Sequence, residues 1–116
     1  MPKVYIPHLP TRLNPLNNKW VPTISLSPAA ELGTLCVIND RPSHAAPENI
    51  GEAHDRVIEE MATMDSRDYI AVIGDPVLCA LAIHEALRHW NVVQVLRWNR
   101  LTRAYDLLRI ATEEES

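Results

Sequence analysis

The chain has 116 residues, with 11 Lys plus Arg against 15 Asp plus Glu, for a net charge of −4 with histidines neutral. That length suits one domain and leaves little room for two independent cores. Apolar residues at 47% and charged residues at 22% are ordinary globular usage, which argues against wholesale disorder. No apolar run approaches the ~18 residues of a membrane span, and the N-terminus carries no signal-peptide pattern, so no membrane partner is expected.

Residues 1–30 hold six of the nine prolines. Proline lacks a backbone donor and disfavours helix in the residue before it, so this segment reads as an extended Pro-rich N-terminal arm. Short strands fit at Lys3 to Ile6 and around Lys19 to Leu26, with Asn14 to Asn18 as a turn between them. Ser27 before Pro28 reads as an N-cap, opening a short helical turn that Gly33 closes.

Leu35-Cys36-Val37-Ile38 is a buried-strand pattern stopped by Asn39-Asp40-Arg41-Pro42. Between about residues 48 and 64, Ile50, Ala53, Val57, Met61 and Met64 recur at helical spacing, while Glu48, Glu52, Asp55 and Glu59 form an acidic opposite face. Tyr69 to Ile73 is a second buried strand, ended by Gly74-Asp75-Pro76. Asp75 is placed to cap the following helix, 76–89, which is apolar nearly all round at its start and so expected to be covered on several sides. Val92 to Trp98 and Ala104 to Ile110 complete a hairpin, and Glu113-Glu114-Glu115-Ser116 is an acidic tail expected to fray.

The pattern predicts a small single α/β domain, 1–116, with a β-α-β-α-β-β core, a parallel centre and a C-terminal antiparallel hairpin. Val37, Val57, Met61, Ile70, Val72, Leu78, Leu81, Ala82, Val93 and Val95 are its expected core. Cys36 and Cys79, both inside apolar runs, read as free thiols of a reducing cytoplasm.

Catalytic patterns are weak. His84 and His89 miss the metalloprotease spacing by one residue, lying about 140° apart around a helix. His54-Asp55 lacks the further ligands of a metal-dependent phosphohydrolase, and no serine or cysteine sits in a nucleophile motif. The sequence therefore predicts no enzyme, no cofactor and no metal site. One candidate ligand mouth is the strand-end group Asn39, Asp40, Gly74 and Asp75, because open α/β sheets bind ligands beyond their strand carboxyl ends.

Charge is segregated. Residues 47–75 carry eight acids and two bases, a balance of −6, whereas residues 88–103 carry four arginines and no acid. Arg97, Trp98, Arg100, Arg103 and Tyr105 form a candidate partner-binding set, since Arg, Trp and Tyr are enriched at protein interfaces. The acidic helix face with Glu48, Glu52, Asp55 and Glu59 is a second. The arginines with aromatics also suit nucleic acid, although the acidic total opposes general affinity for it.

Met1-Pro2-Lys3-Val4-Tyr5-Ile6-Pro7, Trp20-Val21-Pro22, Asp68-Tyr69-Ile70 with Gly74-Asp75-Pro76, and Val95-Leu96-Arg97-Trp98-Asn99-Arg100 with Tyr105 together resemble short proteins of tailed bacteriophages. The resemblance implies a viral origin and an accessory role in the cytoplasm of an infected bacterial cell. The resulting expectation is a non-enzymatic regulator or inhibitor that binds a host or viral protein, with small-ligand and nucleic-acid binding as alternatives. The large Trp20 and Trp98 further suggest a homodimer formed through residues 1–26 or 96–106.

Overall fold

The computed structural model describes residues 1–42 and 50–112. Among the described residues eleven elements follow one another: β1 (Lys3–Ile6), β2 (Leu9–Asn14), β3 (Lys19–Pro22), α1 (Ser27–Ala30), β4 (Thr34–Val37), β5 (Asp40–Pro42), α2 (Ile50–Met61), β6 (Tyr69–Ala71), α3 (Pro76–His89), β7 (Val92–Asn99) and β8 (Ala104–Ala111). Five strands form the main sheet in the order β4-β1-β6-β7-β8, and β3-β2-β5 form a small second sheet. In the main sheet β1, β4, β6 and β7 are parallel and β8 returns antiparallel, with Leu96 opposite Leu107.

The start of the N-terminal segment is a central strand of the main sheet. β1 pairs with β4 on one side and β6 on the other, and Val4, Tyr5 and Ile6 are fully buried. A four-residue segment between prolines reads as peripheral in sequence, yet Pro2 and Pro7 flank the strand and remove no donor from within it. Its start is pinned by buried Asp68, whose carboxylate accepts from the amides of Lys3 and Asp65, each at 2.8 Å.

From β1 the chain moves one way to β4 and then back across to β6 and β7, a doubly wound order. Right-handed crossovers travelling in opposite directions must put their helices on opposite faces. So it is here. α2 and α3 pack together over Tyr5, Ile70, Val93 and Val95, while the short α1 buries Ala29 among Val4, Ile6, Ala71 and Leu96 on the other face. The sheet curves around α1, which lies close to both edge strands, β4 and β8.

The amphipathic pattern of α2 is borne out: Ala53, Val57 and Met61 are buried, and Glu52, Asp55 and Glu59 are exposed. The described helix runs from Ile50, so Glu48 lies outside the described residues, and it ends at Met61 instead of Met64. Asp75 caps α3 by accepting from the amides of Val77 at 2.8 Å and Leu78 at 3.2 Å.

Other expectations need correction. Ser27 is not a cap: Leu26 holds that position and no side chain bonds the helix start. α3 is covered by α2 and by the sheet, as its apolar start implies, and only its outer side stays open, with Val77 61% exposed. Val37 and Val72 are 39% and 40% exposed, because the first ends an edge strand and the second lies beyond the end of β6. Leu81 is half-buried against the core.

Asp68→Ala strands two amide donors beneath the sheet, so urea unfolding is expected to show a loss of about 2–3 kcal/mol. An unchanged midpoint would mean that the carboxylate does not hold the start of β1.

Candidate functional site

The carboxyl ends of β4, β1 and β6 converge on one edge of the main sheet, at the point where the strand order reverses. Asn39, His8 and Gly74-Asp75 follow these strands. Asn39 is nearly fully buried and fully engaged, its Nδ2 donating to the carbonyls of Pro7 and Ala53 while Oδ1 accepts from Arg56. In this structure it ties the end of β1 to α2. Asp40, the next residue, is exposed at the start of β5, opposite Leu9 of β2.

Gly74 has φ of +86°, and a Cβ there would collide with the His8 carbonyl and ring. Glycine is required by conformation and by space together. The turn it makes lets the Asp75 amide donate to Nδ1 of His8 at 2.7 Å. An imidazole accepting at Nδ1 carries its proton on Nε2, and that atom is buried without a hydrogen-bond partner among the described residues. His8 escapes detection in the sequence because only the pairing of β1 with β6 brings it to Gly74.

A cleft of about 390 Å³ opens beside this turn. Val72, Ile73 and Gly74 form one wall, Trp98 and Tyr105 another, and Pro10, Ile24 and Ser25 close it from the N-terminal region. Trp98 and Tyr105 are directly opposed across the hairpin, with ring centroids 5.1 Å apart and planes at 69°. Such an edge-to-face pair stabilises the hairpin end by about 0.5–1.5 kcal/mol beyond area burial. Burial pushes the Tyr105 phenol above its ordinary pKa. The cleft therefore joins two features that the sequence presents separately, the Gly74 turn and the aromatic hairpin.

Asp75 uses its carboxylate to cap α3, so the helix start already holds a negative charge and does not invite an anion. Of the hairpin arginines, Arg97 pairs with Asp106 at 3.5 Å, while Arg100 and Arg103 are exposed in the turn above the cleft and make no ion pair among the described residues. Arg103 holds a left-handed φ of 54°. The acidic residues Glu52, Asp55 and Glu59 lie on α2, which packs on the opposite face of the sheet, so the two charged candidates do not form one site.

His54 is half-exposed on α2, and His84 and His89 are exposed on α3. Among the described residues no three His, Cys, Asp or Glu side chains gather as metal ligands, and no helix is long and apolar enough to cross a membrane. Cys79 donates to the Ile73 carbonyl, and burial pushes its thiol from 9.0 up to about 11.

Fold and cleft together define a small doubly wound α/β domain with an aromatic cleft at its strand carboxyl ends. The chain belongs to the Phage Pam3 gp32-like protein family, whose model matches residues 2–112, and is thus a phage protein. No curated protein and no solved structure matches it.

Two outcomes follow from this geometry. Asp75→Ala should cost about 0.5–2 kcal/mol in denaturant unfolding, and Gly74→Ala should cost more, since strain and collision add. A melting temperature untouched by both changes would contradict the turn. Because the folded pKa of Cys79 is raised, its contribution to stability is intact below about pH 9 and lost as pH climbs toward about 11. Stability measured across that interval should fall less steeply in Cys79→Ala.

Proposed function

We propose that this phage protein is a non-enzymatic binding protein that docks onto a host or viral protein through the hairpin tip and the cleft beneath it. The observation that carries this reading is the exposure of large apolar groups around one concavity. Trp98 is 39% exposed, Val72 40%, Ile24 38% and Leu101 95%, and all four line the cleft or the turn above it. Isolated exposed apolar residues are commonplace, but a contiguous set around a pocket marks an interaction site. Arg100 and Arg103 on the rim add basic charge and make no ion pair among the described residues, and Trp, Tyr and Arg are the residue types that dominate interface energetics. An acidic partner surface with a projecting aromatic or aliphatic side chain complements both features.

Regulation or inhibition of that partner is the accessory role such a phage protein would serve. The position of the cleft favours a second reading, a small uncharged ligand, because carboxyl-end crevices at a reversal of strand order are habitual ligand sites in open sheets. Nucleic acid is the least favoured occupant, since the chain as a whole is acidic.

The test is affinity capture from infected bacterial cells with the wild-type protein, Trp98→Ala, Arg100→Glu with Arg103→Glu, and Glu52→Lys with Glu59→Lys. The proposal expects a stoichiometric protein that both hairpin variants lose and the helix variant keeps. Loss in the helix variant alone would move the interface to α2. Native mass spectrometry of the purified protein reads the second possibility as a small bound mass that Trp98→Ala releases.

A further inference from the structure

The outer edge of β8 is a second surface, one that shares Tyr105 and the arginine turn with the cleft. Thr112 donates its amide to the Asn91 carbonyl at 3.0 Å, in register with the Val92–Ala111 pair. In an antiparallel ladder the direction of the backbone groups alternates from residue to residue. Even-numbered residues of β8 therefore bond inward to β7, and Tyr105, Leu107, Arg109 and Ala111 turn their N–H and C=O groups outward. No backbone hydrogen bond among the described residues uses these outward groups. Leu107 and Leu108, at the middle of the strand, are 48% and 41% exposed. Residues 104–111 contain neither proline nor lysine, the usual devices that keep an edge strand from pairing.

We propose that two copies of this chain pair through β8, antiparallel about a two-fold axis at Leu107, to give one continuous sheet. A two-fold axis normal to a sheet preserves its faces, so each residue must oppose one of the same parity. Centred on Leu107, the pairing sets Leu107 against the second copy's Leu107 and Tyr105 against its Arg109, a ring and a guanidinium on the same face.

The same register explains the choice of occupant. It sets Arg103 opposite the second copy's Ala111, which brings the arginine turn of one copy beside the described end of the other's β8, and the sequence continues past that end with Glu113-Glu114-Glu115. Those two arginines lack an ion-pair partner among the described residues of their own chain. The two-fold axis makes this match of opposite charges twice. Within one chain Arg103 and Ala111 lie at opposite ends of β8, and a neighbouring antiparallel copy brings the two ends side by side.

Sedimentation equilibrium at micromolar concentration tests the pairing. The expected mass is about 26 kDa, twice the 13.1 kDa of one chain. Leu107→Arg should return it to that of a single chain with an unchanged circular dichroism spectrum. Arg100→Glu with Arg103→Glu should weaken association by about tenfold. Adding Glu113→Lys, Glu114→Lys and Glu115→Lys to that variant should restore association, which a merely folding-related loss would not do. A concentration-independent single-chain mass for the wild type overturns the proposal. So does a dimer indifferent to both Leu107→Arg and the charge reversals.

Discussion

Strand β1 is bonded on both sides and buried on both faces, and every other layer is built against it. Val4 and Ile6 meet α1 and the segment beyond β6, while Tyr5 meets α2 and α3. Fully burying three side chains of this size contributes about 1.5–3 kcal/mol each. Its hydrogen bonds join β4 to β6, strands that have no contact with each other otherwise in the sheet order. Without β1 the two halves of the parallel core would share no ladder.

The same placement creates the candidate site. Because β1 stands where the winding reverses, its carboxyl end delivers His8 against Gly74 and leads into β2, whose Pro10 closes the cleft wall. The Pro-rich segment thus serves twice, as the central strand and as a side of the concavity that Trp98 and Tyr105 face. Arg100 and Arg103 lie exposed on the hairpin turn, and Glu52, Asp55 and Glu59 lie exposed on α2.

Legibility in the sequence followed locality. The Asp75 cap and the hairpin were readable because each is fixed within a few residues: Asp75 bonds the amides two and three positions on, and Trp98 meets Tyr105 across a short turn. The strands at Leu35 and Ile70 were readable from apolar runs, but the first is a half-exposed edge strand and not one buried on both faces. What could not be read was which strand lies in the middle. Lys3 to Ile6 carries no local sign that Asp68 receives its first amide across 65 positions, or that β4 and β6 will flank it. The bonds of Asn39 were hidden for the same reason, since a polar residue after a strand looks free until Pro7 and Ala53 are placed beside it. Val72 misled in the opposite sense, because an apolar residue at a strand end is half-exposed when a cleft opens next to it.

Native-state hydrogen exchange of the backbone amides of β1 tests this account most directly. A central strand opens only when the whole domain unfolds, so the bonded amides of Val4 to Ile6 should exchange at the global unfolding free energy, as slowly as those of Val93 and Val95 in β7. Exchange of the β1 amides at the rate of a frayed terminus, with β7 still protected, would contradict it and return the N-terminal segment to the status of a detachable arm.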